Sequence, residues 1–171
     1  MIALPHIIRQ LTVNAEAFNA LAQGVPLEQA TWQPDPQTWS LKDVFEHLYN
    51  EEKLDFRRHL RDMFSHPSKP WSSFPHAEYI KLETLSQALD GFLAEREASL
   101  AWLEALGAVD WDAASQAPFA PGGGTLTLRA GDVLVSWAAH DYLHLRQVNE
   151  LLYAWNAANG APYSAEYAGG W

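Results

Sequence analysis

The residues best suited to chemistry in this sequence are two histidines four positions apart, His140 and His144. Residues with this spacing lie on one face of an α-helix, so both imidazoles can point at a single atom. A third histidine, His47, lies in another segment with a helical pattern. If the fold brings it beside the pair, three neutral nitrogens converge and leave coordination positions open, as in catalytic metal sites. These three histidines are therefore candidate metal ligands.

A purely structural role for these histidines is the alternative. Histidine pairs with this spacing arise by chance in a chain with seven histidines. A single inward histidine is usually a core residue that hydrogen-bonds to a neighbour. Burying several imidazoles without partners is costly, however, because each ring has both a donor and an acceptor. One shared ion would satisfy all three nitrogens at once.

The helical pattern places the histidine pair toward the protein interior. At about 100° per residue, His144 falls about 40° from His140 on the helical wheel. Both lie in the middle of the apolar stripe formed by Val133, Trp137 and Leu151. The pair therefore faces other elements of the fold and not solvent.

On its own segment, His47 lies at the edge of the apolar arc, next to a polar strip that includes Asn50, Glu51 and Arg58. A polar strip opposite inward histidines is what a cavity between helices would produce. The other histidines are predicted to be surface or packing residues: His6, His59, His66 and His76.

Four segments have the apolar periodicity of amphipathic helices. They run from about Pro5 to Gln23, from Ser40 to near Ser65, from about Thr84 to Leu106, and from about Leu128, after Thr127 as a cap, to Asn156. Prolines 26, 34 and 36 exclude a continuous helix through residues 25–39. We therefore predict an all-α fold, a four-helix bundle with long loops between helices 1 and 2, 2 and 3, and 3 and 4, in a single domain over residues 1–171.

The loop at residues 108–126 contains three consecutive glycines after Pro121. Such a run invites comparison with a phosphate-binding loop, but the pattern G-x-x-x-x-G-K-[ST] is absent and no lysine follows. We therefore predict a flexible connector.

The composition is that of a globular protein: 48% of the residues are hydrophobic, without a low-complexity tract. A net charge of −10 disfavours nucleic acid as a partner. The absence of cysteine excludes disulfides and thiolate ligands and fits a reducing compartment. The N-terminus does not resemble a signal peptide, and no apolar run approaches the length of a membrane span. We expect a cytoplasmic protein with a small-molecule substrate and no membrane partner.

Three stretches resemble the DinB-like (YfiT-like) superfamily of metal-binding four-helix bundles. The first is Trp-Ser-Leu at 39–41, with a histidine seven residues after the serine, and the second is the H-x-x-x-H pair followed by Gln147. The third is the Trp-Gln-Pro-x-Pro stretch at 32–36. The resemblance covers the chain from the first predicted helix to about Tyr153.

The resemblance implies that His47, His140 and His144 match the metal ligands of the family. The ion would be divalent, most often zinc or nickel, and the protein would form a homodimer. Family members include thiol-dependent S-transferases and isomerases that use low-molecular-weight thiols, and others are described as metal-dependent hydrolases. The sequence departs from the family pattern at Leu145 and Arg146, where an arginine and a glycine often follow the last histidine.

This resemblance implies an enzyme in which the ion lowers the pKa of a water or thiol ligand, for hydrolysis or S-transfer. Glu51 lies one turn beyond His47 and is the candidate base or orienting residue, with a solvated glutamate as the alternative. Asn50, Trp137 and Gln147 are candidate substrate-binding residues. The loop residues Trp71 and Phe74 are candidates for the pocket of an electrophile. Most of the eight tryptophans are expected in the core or in interfaces.

Two other functions are compatible with parts of this pattern. A metalloprotease of the H-E-x-x-H type needs glutamate after the first histidine, whereas this chain has Asp141, which is one methylene shorter. That interpretation is disfavoured. The main alternative to an enzyme is a non-catalytic helical bundle that binds a metal or small molecule, as a sensor or a dimeric interaction module.

Overall fold

The computed structural model describes residues 3–66, 69–72, 74–120 and 124–169, and the fold is mostly helical, as predicted. The described part of the chain contains six α-helices and two strands. These are α1 (Leu4–Ala22), α2 (Leu27–Thr31), α3 (Leu41–Leu54), α4 (Phe56–Ser65), α5 (Leu85–Glu104), β1 (Ala114–Ala120), β2 (Gly124–Arg129) and α6 (Ala130–Asn159).

Helix boundaries follow local capping chemistry. Ser40 caps α3 in a capping box with Asp43, as the sequence predicts, and Thr84 caps α5 in the same way with Gln87. Gly24 has a φ of 76°, the left-handed conformation expected after α1. Thr127 does not cap the last helix: it lies in β2, and α6 begins only at Ala130.

The second predicted helix is wrong as a single element, because it breaks at Asp55 into α3 and α4. Asp55 has φ −115° and ψ −92°, outside the helical region. The break lets the two segments pack on different helices: α3 packs mainly on α5, whereas α4 packs on α6. No proline or glycine marks the position, so tertiary packing overrides the local pattern.

Gly91 lies inside the uninterrupted helix α5, although glycine is a poor helix former. A Cβ at this position would lie 3.0 Å from the ring of Tyr49 on α3. The glycine therefore allows the close approach of these two helices.

The predicted loop at 108–126 is largely a β-hairpin, which corrects the all-helical description. Strands β1 and β2 pair in antiparallel register from Ala114 opposite Arg129, with an irregularity after Ala117. Ala117 of β1 is fully buried, and this burial could not be predicted from the small residues of the strand. Of the three glycines in the predicted flexible connector, 122 and 123 lie outside the described residues and Gly124 begins β2.

The core consists of two apolar clusters with a polar layer between them. One cluster includes Phe18, Phe45 and Phe92; the other includes Leu11 and Leu60. Between these levels, four long helices contribute buried polar side chains: Asn14, Glu52, Arg96 and Asp141. All four side chains are at most 2% exposed.

None of the helices in the described ranges is long and apolar enough to cross a membrane.

Candidate metal centre

The fold brings together the three histidines that the sequence singles out. His47 lies on α3, two turns after its capping box, and the pair lies on α6. Nε2 of His140 is 3.3 Å from Nε2 of His47 and 3.1 Å from Nε2 of His144. One ligand atom from each residue lies within 4.8 Å of the other two, and all three residues are partly buried. The geometric prediction from the sequence is confirmed.

These separations fit a divalent ion. Imidazole nitrogens bind zinc at about 2.0–2.1 Å, so two of them at a tetrahedral angle lie about 3.3 Å apart. Without an ion, three ring nitrogens converge on one point and cannot all find a hydrogen-bond donor. The donor set itself, neutral imidazole alone, suits zinc, nickel, copper and iron.

Electrostatics keep the imidazoles in the neutral form that a metal requires. Burial, followed by the neighbouring imidazoles, lowers the pKa of His47 to about 3. Burial and His144 lower the pKa of His140 to about 4, and burial also lowers the pKa of His144. The lone pairs are therefore available for coordination at neutral pH.

Side chains on the outer side of the imidazole rings determine which ring nitrogen faces the point where the three histidines converge. Nδ1 of His144 donates to Oε1 of Gln147 at 2.8 Å, which leaves Nε2 unprotonated. Nδ1 of His47 lies 3.8 Å from Oε1 of Glu51. Trp39 packs over this side, with its ring parallel to that of His144 at 6.4 Å. Such partners orient metal-binding histidines and set their tautomers.

A buried ion-pair network lies directly behind the histidines. The guanidinium of Arg96 on α5 donates to both oxygens of Asp141 at 2.8 and 2.9 Å and to Oε2 of Glu52 at 2.9 Å. Trp137 donates its indole N–H to the same Glu52 oxygen, and Asn14 donates to Asp141. Burial alone would lower the pKa of Arg96, but the two carboxylates raise it above its ordinary value. The network joins α3, α5 and α6 next to the metal ligands.

Of the other predicted site residues, Glu51 and Gln147 lie at the centre. Glu51 lies one turn after His47, with its Oε1 3.8 Å from Nδ1 of that residue, and both side chains line a cavity of about 580 Å³. Burial, followed by the charge of nearby Asp55, raises the pKa of Glu51 to about 8. Gln147 bonds His144 and can orient its imidazole, and its contact with substrate stays a prediction.

The other two predicted substrate-binding residues do not line this cavity. Asn50 is fully buried, and its amide bonds the backbone of Glu46 and both backbone polar groups of Ile80. Trp137 is also fully buried, with its indole stacked on Phe56. Both side chains have their polar groups bonded inside the fold, and their role in substrate binding stays a prediction.

Six residues that line the cavity were not predicted from the sequence as site residues: Trp39, Asp55, His59, His76, Tyr79 and Pro118. On a continuous helix, His59 would lie about 120° from His47. The break at Asp55 invalidates that angle, and the side chain of His59 is only 5% exposed. The four-residue spacing of positions 47, 51, 55 and 59 was the signal available.

Asp141 does not occupy the position of a protease base. Both of its oxygens bond Arg96, and its side chain is 1% exposed, so it points away from the metal centre. The structure therefore gives no support to the disfavoured metalloprotease interpretation.

The ion pair between Asp55 and His59 gives a testable pH dependence. Burial lowers the pKa of His59, but the hydrogen bond to Asp55 and that to the Ser72 carbonyl outweigh it, so the pKa lies above its ordinary value. A raised folded-state pKa stabilises the protein below about pH 6.5, and this contribution is lost as the pH rises through the folded pKa. Asp55→Asn should lower the pKa of His59 in an NMR titration and flatten the dependence of stability on pH in this window.

Asp90→Asn is the matched control, since Asp90 is exposed on α5. A pKa of His59 that stays at the wild-type value in Asp55→Asn would contradict the assignment of this ion pair.

Comparison with known proteins agrees with the geometry. Residues 10–148 match a sequence model of the DinB superfamily, a span that contains all three histidines. No curated protein matches the chain.

Proposed function

This chain belongs to the DinB superfamily, and from that premise we propose that it is a divalent-metal-dependent enzyme that activates water or a low-molecular-weight thiol, for hydrolysis or S-transfer. The convergence of three neutral Nε2 atoms beside an open cavity is the observation that carries this proposal. A closed structural site would use a fourth protein ligand, whereas this arrangement leaves positions for a substrate.

When bound, the divalent ion acts as a Lewis acid that brings the pKa of a water or thiol ligand toward neutrality. His47, His140 and His144 would hold it. Glu51 is 17% exposed at the edge of the cavity, and its pKa of about 8 lies close to neutral pH, so this group can exchange a proton with a substrate. Gln147 keeps His144 in the tautomer that coordinates.

We propose that the scaffold for this chemistry is a single-domain four-helix bundle. In this bundle α3 and α4 together form one interrupted helix. Zinc or nickel is the proposed ion, and a homodimer is the proposed assembly. The substrate is a small molecule, since the cavity is of the size that such ligands occupy.

The first test combines metal analysis with an activity screen. Purified protein should contain about one divalent ion per chain, and it should accelerate the reaction of a thiol with a generic electrophile, or the hydrolysis of an activated ester or amide. A strong chelator should abolish this activity, and zinc or nickel should restore it. Activity that survives complete metal removal would refute the metal-dependent mechanism. Full metal occupancy without turnover would identify a binding protein instead.

Glu51→Gln should lower kcat by about 10–100-fold while the metal content stays the same, since the loss of an orienting carboxylate has effects of this size. Glu97→Gln is the matched control, because Glu97 is exposed on α5 far from the cavity. Unchanged kcat in Glu51→Gln would remove this residue from the mechanism but would leave the metal ligands in place.

A further inference from the structure

The cavity beside the metal centre extends well beyond the histidines. Its volume of about 580 Å³ is within the range of small-molecule sites, and only His47 of the three histidines lines it. A substrate that reacts at the metal centre therefore has room for a second, non-reacting part. The residues that line the cavity indicate the chemical character of this non-reacting part.

Aromatic faces form much of the wall. Trp39 lies next to His47 with ring centroids 5.1 Å apart, and Trp71 stacks on His59 at 3.8 Å. The loop before α5 adds two partly buried rings, Phe74 and Tyr79. Aromatic walls favour planar groups, and their ring faces attract cations.

The polar part of the same wall is acidic. Glu51 and Asp55 lie one helical turn apart at the junction of α3 and α4, with side chains 17% and 22% exposed. Their nearest basic partners are histidines: His47, a candidate ligand, and His59, which is held by Asp55 and by the carbonyl of Ser72.

Among the described residues that line the cavity there is neither lysine nor arginine. The cationic side chains nearest in sequence bind other carboxylates: Lys53 and Arg57 pair with Glu95, and Arg58 pairs with Glu78. The cavity thus offers carboxylate acceptors and ring faces. Its described lining has histidines, including His59 and His76, in place of the lysine and arginine that most often bind carboxylate or phosphate.

We propose that this cavity binds the non-reacting part of the substrate, and that this part is a planar group carrying an ammonium or a similar cation. The inference rests on the proposed function for the identity of the reacting end. The binding preference itself depends only on the cavity. The cation would lie between the aromatic faces, within reach of the Asp55 carboxylate, which gives a charge-assisted hydrogen bond in a partly desolvated site.

Three probes of similar size test the preference: 2-phenylethylamine, 2-phenylethanol and 3-phenylpropanoate. Binding is measured at pH 7 by calorimetry and by protein-observed NMR, on metal-loaded and on chelator-treated protein. We expect the ammonium probe to bind about tenfold more tightly than the alcohol, and the carboxylate probe to bind most weakly. The order is judged on chelator-treated protein, where the carboxylate probe has no ion to bind, so failure of the metal mechanism remains distinguishable from failure of this inference.

Two substitutions locate the site. Asp55→Asn should weaken the ammonium probe about tenfold and leave the alcohol unchanged, because only the charged partner is removed. Trp71→Leu should weaken both probes. Asp90→Asn, on the exposed face of α5, is the matched control and should change neither. Circular dichroism and metal content verify that each variant is folded.

A carboxylate probe that binds as well as the ammonium probe would overturn the inference, and so would a folded protein that binds none of the three. Ammonium binding that is insensitive to Asp55→Asn would also overturn it, since the cation would then lie elsewhere.

Discussion

Replacing His140 with alanine is expected to remove the metal from the purified protein and to abolish any metal-dependent activity. His140 contacts both other histidines through Nε2, so its loss leaves two nitrogens that no longer enclose a common point. Structural zinc sites gain about 10–16 kcal/mol from four ligands, so one ligand is on the order of 3 kcal/mol, or about a hundredfold in affinity. Metal content by elemental analysis and affinity by competition with a chromophoric chelator measure the effect.

A second readout separates loss of metal from loss of fold. Metal bound only by the folded state raises its stability, by about 2.7 kcal/mol at a concentration one hundred times Kd. Added zinc should therefore raise Tm in the wild type and have little effect in His140→Ala. His6→Ala, at an exposed position on α1, should behave as the wild type. Equal metal affinity in His140→Ala and His6→Ala would show that the ion binds elsewhere.

Replacing Arg96 with methionine is expected to cause a large loss of stability. Methionine keeps much of the length of the side chain but leaves Glu52 and Asp141 buried without their cation. Removal of one partner from a buried ion pair costs about 3–5 kcal/mol, because the remaining charge has lost both water and its counter-charge. Urea unfolding, with equal m-values for both proteins, measures the difference in the free energy of unfolding.

Arg146→Met provides the comparison for this substitution. Arg146 forms an ion pair with Glu150 on the surface of α6, with side chains 68% and 43% exposed. Exposed pairs contribute about 0–1 kcal/mol, so this variant should be nearly as stable as the wild type. A similar small effect of Arg96→Met would mean that the carboxylates find other partners or take up protons.

The convergence of the three histidines was largely predictable because it depends on local spacing. His140 and His144 share a helical face whatever the rest of the fold does, and the capping sequence at Ser40 fixes the start of α3 and the phase of His47. Capping boxes and four-residue spacings are properties of short segments, and these parts of the prediction are confirmed.

The rest of the site could not be predicted because it depends on long-range contacts. The helical wheel was carried through Asp55 as if the helix continued, which misplaced His59. Arg96 and Asp141 are 45 positions apart, and each alone looks like a solvated charge on an amphipathic helix. Only the packing of α5 against α3 and α1 shows that these charges are buried. The hairpin was missed for the same reason, since β1 bonds to the distant segment that contains Lys69 and Trp71.

The polar layer between the two apolar clusters also determines how the long helices align with each other. Sliding α6 by one turn, about 5.4 Å, would place the carboxylate of Asp141 among apolar side chains. The guanidinium of Arg96 would then be buried without this counter-charge. Leucine-rich surfaces tolerate such slippage far more easily, because one methyl group substitutes for another. The charged layer therefore fixes the axial alignment of the helices. The same interactions that exclude shifted packings keep the three imidazoles at the same level along the helix axes.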